Sequence, residues 1–247
     1  MSNGIYSALS GALAQQRSLD VTANNVANAN TAGFRADRVA FDEALATAGA
    51  TTAQPASLRY VVADRVITES AAGSLNTTGN PYDLAIDGDG YFVLATPQGE
   101  RYTRAGGFNP GSDGVLRAAD GIEVVAEGGA GARIHIPSNA RDIAIGPDGT
   151  VTADGESVGR LRIASFADPA SLAKEGELRF FATAAPQATS PNTRVVQGAL
   201  ETSNVNPIAG LNELITSSRL FDSFQRVIHT FADLDNRTAR DLGSRSG

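Results

Sequence analysis

Asp87 and Asp89, each followed by a glycine, form the segment of this 247-residue sequence that most resembles a metal-binding loop. An EF-type calcium loop places oxygen ligands at alternate positions and ends in a bidentate Glu. Here the apolar run 91–93 follows at once. An Asp-Gly pair between apolar strands is the common sequence of a tight hairpin turn. We therefore predict a hairpin turn at 87–90, with no bound metal and no cofactor.

Residues that could act as catalytic bases or nucleophiles are few and isolated. The two histidines are His135, between two isoleucines of a predicted strand, and His229, on a predicted helix. Neither has a serine or a carboxylate at a spacing that suggests a proton relay. The glycine-rich segment 128–131 lacks the Lys and Ser/Thr of a phosphate-binding loop, and the chain has no cysteine. We predict no catalytic residues, and hence a protein that is not an enzyme.

The charge balance excludes further classes of function. With 27 acidic and 20 basic side chains, the formal net charge is -7. Nucleic-acid binding requires clustered Lys and Arg, and no such cluster occurs. No run approaches the roughly 20 apolar residues of a membrane span, and the first 30 residues have neither the basic start nor the apolar core of a cleaved signal peptide. We expect no nucleic-acid partner, no direct insertion into lipid and no cleaved signal.

The elements that carry these residues differ between the chain ends and the middle. Near the N-terminus, one row of positions alternates spacings of four and three, which is the heptad pattern of a helix. The members of this row are Ile5, Leu9, Ala12, Gln16, Leu19, Ala23 and Val26. The pattern predicts a helix of about 25 residues, which ends between 28 and 32, where Gly33 offers a left-handed cap and Phe34 a following apolar contact.

The C-terminal segment predicts a longer helix. Asn206 is a suitable N-cap and Pro207 suits the first helical position. The apolar seam then falls on one heptad register, with members Leu214, Phe221, Phe224, Ile228, Phe231 and Leu242. A second row of Leu220, Val227 and Leu234 widens the apolar face.

Between these helices, the sequence predicts β structure. Residues 33–82 suggest an extended connector with one short strand near 58–68, because Ala, Thr, Gly and Ser dominate and no helical period is sustained. Residues 83–197 alternate short apolar runs with turn sequences, which is typical of a compact antiparallel domain. The predicted fold class is α+β. It combines long N- and C-terminal helices in a coiled-coil-like pair (1–32 and 198–247) with a central antiparallel β domain at 83–197.

Asparagines are concentrated at the end of the first helix, where Asn24, Asn25, Asn28 and Asn30 fall within seven positions. Asn is unfavourable inside a helix because its amide competes for backbone hydrogen bonds. The run could be a frayed helix end that leads into a loop. Alternatively, paired amides could fix the register where helices of several subunits meet. The residues alone favour neither explanation.

Four segments resemble bacterial flagellar rod and hook proteins, in the order in which that family has them. They are residues 19–35 (LDVTANNVANANTAGFR), 78–86 (TGNPYDLAI), 99–106 (GERYTRAG) and 200–207 (LETSNVNP). The resemblance covers both ends of the chain and the start of the predicted β domain. Within the family, the short length and residues 217–221 are most similar to the proximal-rod member, and the distal-rod member is the alternative.

The resemblance implies a structural axial subunit of the flagellar basal body, in the rod that spans the periplasm. Its partners would be copies of itself, other flagellar rod proteins and the flagellar type III export apparatus. The subunit interface that it implies comprises Leu9, Leu19, Asn24, Asn25, Val26, Asn28, Asn30, Thr31, Gly33, Phe34, Leu214, Phe221, Phe224, Ile228 and Phe231. Two alternatives from other classes are an adhesin and a secreted enzyme that acts on peptidoglycan. The enzyme would need two carboxylates at working distance, for which Asp87, Asp89 and Glu100 are the nearby candidates.

Overall fold

The computed structural model describes residues 2–47, 57–129, 131–187 and 189–244. The chain divides into two compact units. The first, called the helical unit below, comprises Met1–Ala27, Asp37–Glu69 and Asn206–Gly247. The second, called the β unit, comprises Asn28–Ala36 and Ser70–Val205.

The helical unit contains two helices and a long β-hairpin. Helix α1 is Ser2–Ala27 and helix α2 is Pro207–Ser244. Strands β1 (Asp37–Thr47) and β2 (Ser57–Thr68) pair antiparallel, with a register shift between Ala40 and Phe41. α1 packs against α2 and against both strands of the hairpin.

The start of α2 is the predicted one. The side-chain oxygen of Asn206 accepts hydrogen bonds from the backbone N–H groups of Ile208 and Ala209, at 3.1 and 3.2 Å. These bonds satisfy two donors that have no partner within the helix. The predicted N-cap at Asn206, followed by Pro207 at the first helical position, is thereby confirmed.

The predicted coiled-coil-like helix pair is wrong, although the α+β class itself is consistent with the structure. In a coiled coil, large apolar side chains of both helices alternate along the seam. α1 instead presents glycines to α2, because Gly4 lies against the ring of Phe231 and Gly11 against the ring of Phe224. The predicted seam residue Leu9 is 46% exposed. The hairpin also covers part of α1, so the two helices belong to a mixed helix and hairpin unit.

The segment 33–82 contains more β structure than the single short strand expected there. Strands β1 and β2 have 11 and 12 residues, and β3 (Leu75–Thr77) follows in the β unit. The sequence signal of β1 is weak because its many alanines give little contrast between the two faces of the strand. The domain boundaries proposed at 32, 82 and 197 remain a prediction.

The β unit is built from short antiparallel strands, as its turn-rich sequence predicts. Its remaining strands are β4 (Leu84–Asp87), β5 (Tyr91–Thr96), β6 (Gly99–Thr103), β7 (Phe108–Pro110), β8 (Leu116–Ala118), β9 (Glu123–Val124), β10 (Ile143–Ile145), β11 (Thr150–Ala153), β12 (Glu156–Arg160), β13 (Ile163–Ala164), β14 (Leu172–Glu175), β15 (Arg179–Ala182), β16 (Arg194–Gln197) and β17 (Ala199–Glu201). A 3₁₀ turn at Pro169–Ser171 precedes β14.

The largest sheet has the strand order β14-β15-β6-β5-β9-β8-β7, and β13 also pairs with β5. β10, β11 and β12 form a three-stranded sheet, whereas β4 pairs with β16 and β3 with β17. The hairpin turn predicted at 87–90 is therefore wrong, because β4 and β5 pair with different strands. The segment is a bend between two sheets, in which Gly88 and Gly90 have φ of 102° and 140°.

The core of the β unit lies between the sheets. Phe92 and Phe108 are fully buried and meet edge to face, with ring centroids 5.0 Å apart. Around them pack buried Leu84, Leu94 and Leu116 with further aliphatic side chains. Among the described residues, no helix is long and apolar enough to cross a membrane.

Candidate subunit interface

The two helices of the helical unit pair antiparallel through small residues. A Cβ atom built on Gly4 would lie 2.8 Å from Cζ of Phe231, and one built on Gly11 would lie 2.6 Å from Cε1 of Phe224. At the other end of the pair, Gly210 of α2 lies against the side chain of Val26. The register is thus fixed at three points along the helices.

Apolar side chains remain exposed on the sides of both helices that face away from this contact. On α1, Tyr6, Leu9 and Leu13 are 61%, 46% and 59% exposed. On α2, a matching set is more than half exposed, namely Ile208, Leu211 and Ile215. Each set has the spacing i, i+3, i+7, so each forms a row along one face of its helix. Contiguous exposed apolar surface marks an interaction site on a protein.

The predicted interface residues occupy three kinds of environment. Leu9, Asn24 and Asn30 are exposed. A larger group is half-buried, comprising Leu19, Asn25, Val26, Thr31, Leu214, Phe221, Phe224, Ile228 and Phe231. Asn28, Gly33 and Phe34 are buried. The exposed row of α1 thus includes one predicted residue, and the exposed row of α2 includes none, because the predicted seam faces α1.

Hydrogen bonds within the chain hold the clustered asparagines Asn25 and Asn28. Asn25 donates from Nδ2 to the backbone oxygen of Asp37 at 2.7 Å and accepts at Oδ1 from the backbone N–H of Asp37 at 2.9 Å. The amide thus pairs with the start of β1 as a neighbouring strand would. Asn28 accepts from the hydroxyl of Thr31 at 3.0 Å. Part of the amide run therefore fixes the path of the chain after α1.

A buried cluster of charges lies in the β unit, close in sequence to the ends of both helices. Glu201 bridges two guanidinium groups: its Oε1 lies 2.8 Å from Nη2 of Arg35, and its Oε2 lies 3.2 Å from Nη1 of Arg104. All three side chains are at most 5% exposed. Arg35 follows α1 by eight residues and Glu201 precedes α2 by six. We call these three residues the ion cluster.

Backbone groups and rings complete the surroundings of the ion cluster. Arg104 donates to the oxygens of Ile86 and Gly88 at 3.2 and 2.8 Å, and its guanidinium lies 5.2 Å over the ring of Tyr91. The backbone N–H of Gly73 donates to Oε1 of Glu201 at 3.0 Å. Such charge-assisted bonds are needed to offset the desolvation of buried charges.

Burial sets the direction of two pKa shifts at the ion cluster. Desolvation lowers the pKa of the Arg35 guanidinium, the attraction of Glu201 opposes this, and repulsion from Arg104 adds to it. Burial raises the pKa of Tyr91, and the nearby positive charge of Arg104 partly reverses the rise. Two cations therefore share one carboxylate here, and the Nε atoms of both arginines have no hydrogen-bond partner among the described residues.

Gly33 allows the chain to pass close to the segment after β6 that carries Arg104. Its φ is 73°, and its N–H donates to the backbone oxygen of Glu201 at 2.8 Å. A Cβ atom at this position would overlap the backbone of Ala105. Only glycine meets both demands. Gly33 has the predicted left-handed conformation, but the predicted cap is wrong, because α1 already ends at Ala27 and Gly33 instead seats Phe34 and Arg35 in the β unit.

Sequence reasoning missed the ion cluster, although all three residues lie in the segments that carry the family resemblance. The available signal was a charged residue beside apolar or small neighbours in each segment, in Phe34-Arg35, Arg104-Ala105 and Leu200-Glu201. Such a signal names candidates but not partners, because the residues are up to 166 positions apart in the sequence.

The candidates for other chemistry remain dispersed. The Glu100 carboxylate pairs with Nη1 of Arg162 at 2.6 Å. In the described ranges, no group of three or more His, Cys, Asp or Glu side chains could hold a metal ion.

Three families match successive parts of the chain. Residues 5–35 match the family described as flagella basal body rod protein. Residues 85–153 match the D1 domain of the flagellar hook protein FlgE/F/G, and residues 196–241 match the C-terminal region of the flagellar basal body rod FlgEFG proteins. The first and third matches carry most of α1 and α2, and the second covers β5 to β11.

Curated relatives match the chain over nearly its whole length. The flagellar basal-body rod protein FlgF of Caulobacter vibrioides is 33% identical, covering 98% of this chain and 99% of its own. FlgF of Mesorhizobium japonicum is 34% identical over 100% of both chains. FlgG of Bacillus subtilis is 35% identical, covering 93% of this chain and 95% of its own.

Terminal helices that pair with each other, a β unit that lies between them in the sequence, and these matches define a structural subunit of the bacterial flagellum. The chain belongs to the flagellar basal-body rod protein family. Within that family it is most like FlgF, whose members named above it matches from end to end. The prediction of a structural rod subunit is confirmed.

Proposed function

We propose that the chain is a subunit of the proximal rod, which assembles helically through its terminal helices and transmits torque for motility. The observation that carries this proposal is the pair of exposed apolar rows on α1 and α2. Exposed apolar rows promote association of a protein in water, and neighbouring subunits that cover them remove this apolar surface from the solvent. Two different surfaces on one subunit build open helical assemblies when they bind each other.

The partners that follow are copies of this chain and other rod proteins of the basal body. The export apparatus of the flagellum would deliver the chain without a cleaved signal, so that it reaches the rod that spans the periplasm. Passage as an unfolded chain suits a sequence without cysteine, because no thiol can be oxidised on the way. In this proposal the chain has no enzymatic activity and does not insert into lipid.

The predicted interface residues enter the proposal in two groups. Residues of the helices, such as Leu9, Leu19 and Phe221, would contact neighbouring subunits or hold the helix pair that does so. Gly33 and Phe34 would act indirectly, since their burial in the β unit fixes the path of the chain beyond α1.

Genetic replacement tests the proposed position in the rod. The gene is expressed in two otherwise motile strains, one that lacks FlgF and one that lacks FlgG, and swimming in soft agar is measured. We expect swimming in the strain without FlgF, together with recovery of the chain in purified basal bodies. If swimming returned only in the strain that lacks FlgG, the chain would instead be assigned to the distal rod. Swimming without the chain in basal bodies would contradict a structural role.

A further inference from the structure

Two exposed apolar rows of the helical unit have the same i, i+3, i+7 spacing and lie at opposite ends of the helix pair. A third exposed set on α2, Leu220, Val227 and Leu234, has members seven residues apart and does not share that spacing. Row 1 is Tyr6, Leu9 and Leu13 of α1, and row 2 is Ile208, Leu211 and Ile215 of α2. The contacts of Gly4 with Phe231 and of Gly11 with Phe224 place residues 6–13 level with about residues 222–229 of α2. Row 2 therefore lies about 21 Å along the pair from row 1, at ~1.5 Å per residue.

The two rows also face away from the pair on opposite sides. Gly4 and Gly11 mark the side of α1 that touches α2, and Tyr6, Leu9 and Leu13 lie on the other side of that helix. On α2, Gly210 and Phe224 mark the side that touches α1, and row 2 lies away from it. One subunit therefore cannot bring its own two rows together, whereas two subunits can.

The rows match in spacing and chemistry. Each has members at i, i+3 and i+7, and each consists of large apolar side chains. When two helices run antiparallel, Tyr6 falls beside Ile215, Leu9 beside Leu211 and Leu13 beside Ile208, in register to within about one residue. Both rows are therefore long enough to cover each other.

Charges beyond the rows decide the orientation. If the helices ran parallel in register, exposed Arg17 would lie against Arg219 and exposed Asp20 against Asp222. Like charges in such pairs are unfavourable. The antiparallel orientation avoids both pairs. It is also the orientation that a stack of identically oriented subunits imposes, because α1 and α2 are antiparallel within each subunit.

We propose that row 1 of one subunit docks antiparallel onto row 2 of a second copy of this chain. This inference rests on the proposed function and names the contact that would extend the assembly. Because row 1 and row 2 differ, the contact is heterologous and leaves one row of each type free at the ends of a dimer.

Single-cysteine variants of the full chain test the contact, since the natural sequence has no cysteine. Leu13→Cys is mixed with Ile208→Cys, and in parallel with Ile215→Cys, under mild oxidation, and disulfide-linked dimers are measured on non-reducing gels. A disulfide forms only where the two Cα atoms approach within about 7 Å. We expect at least tenfold more mixed dimer with Ile208→Cys than with Ile215→Cys, and little dimer from any variant alone.

A mixture of Gln16→Cys and Gln225→Cys, at exposed polar positions of the same helices, measures random collision. Equal yields from all mixtures, a preference for Ile215→Cys, or dimers of Leu13→Cys with itself would overturn the proposal. A chain that restores basal bodies but gives none of the expected dimer contradicts this contact alone. A chain that gives the dimer but never enters basal bodies contradicts the proposed function and leaves the contact standing.

Discussion

At the scale of single residues, the ion cluster is the most consequential arrangement in the β unit. A carboxylate buried between two guanidinium groups is not itself strong evidence of stability, because desolvation opposes the attraction. Removing one partner is different, since it leaves uncompensated charge in the interior. The cluster also joins residues that follow α1 to residues that precede α2. Its integrity therefore controls the path of both chain ends through the β unit.

Replacement of Glu201 by Gln tests this role. The change keeps the shape of the side chain but leaves Arg35 and Arg104 buried without an anion, so we expect the free energy of unfolding of the β unit to fall by about 3–5 kcal/mol. Urea unfolding followed by far-UV circular dichroism measures it. The matched control is Glu127→Gln, which breaks an ion pair to Arg160 in which the two side chains are 45% (Arg160) and 53% (Glu127) exposed. Exposed pairs contribute less than about 1 kcal/mol, and equal losses in both variants would contradict the assigned role.

A second residue-scale prediction concerns the exposed turn between β10 and β11. The hydroxyl of Thr150 donates to the Asp148 carboxylate at 2.7 Å, and this bond is the main reason that the pKa of Asp148 is lowered. A carboxylate with a lowered pKa stabilises the folded state fully above its ordinary pKa of 3.8. That contribution is lost as the pH falls through the lower pKa of the folded state.

In a Thr150→Val variant, we therefore expect the pKa of Asp148 to rise toward its ordinary value. Titration of the carboxyl carbon by NMR measures it. Thr152→Val is the control, because the hydroxyl of Thr152 donates to a backbone oxygen and not to a carboxylate. An unchanged pKa in Thr150→Val would contradict the assignment of the hydroxyl as the main cause of the lowered pKa.

At the scale of elements, the helix pair shows how far the sequence predicts the fold. The start of α2 follows from its capping residue, and the approximate extents of both helices follow from heptad spacing, which are local properties. The side of α1 that meets α2 does not, because the pattern favours a row of large residues that includes Leu9, whereas the contact uses Gly4 and Gly11. Large rings on α2 fill the space that the glycines leave. Whether a helix contributes rings or glycines to the contact depends on the helix that it packs against. The sequence of one helix alone therefore does not show it.

The same distinction explains the β unit and the candidate interface. Turn residues predict the hairpin from β5 to β6, because the strands lie next to each other in the sequence. The pairing of β4 with β16 joins positions more than 100 residues apart, so local turn residues at 87–90 predict a hairpin that the structure does not form. Row 2 escapes prediction for a related reason: heptad spacing marks the seam as the interface, but the structure uses that seam within the chain.

The glycine contact gives a prediction at the element scale. A leucine at Gly11 would overlap the ring of Phe224 and push the helices apart, so we expect Gly11→Leu to cost about 1–3 kcal/mol despite the higher helix propensity of leucine. Thermal unfolding, followed by the helical signal in far-UV circular dichroism, measures this loss of stability. The control is Gln16→Leu, which places a leucine at an exposed position of the same helix.

A double-mutant cycle separates this packing effect from a change in the helix alone. In a Phe224→Ala background the ring is absent, so Gly11→Leu should cost less than it does beside Phe224. An identical cost in both backgrounds would mean that the two residues do not contact each other in the folded protein.

At the scale of the whole molecule, the division into two units separates stability from assembly. The β unit draws its residues from 28–36 and 70–205, and in the described part of the chain its core, ion cluster and sheets contain nothing from α2. The helical unit draws on both chain ends and carries row 1 and row 2. Truncation or substitution of α2 should therefore impair assembly far more than the folding of the β unit.

Removal of residues 208–247 tests this separation. Without α2, the rings that cover Gly4 and Gly11 are lost and row 2 is absent, so we expect no swimming in a strain that depends on this chain. The urea midpoint of the β-sheet signal should stay close to that of the full chain, because the contacts of the β unit are all retained. The full-length gene at equal expression is the positive control. Normal swimming by the truncated chain would contradict assembly through the terminal helices, whereas loss of the β-sheet signal would contradict the independence of the β unit.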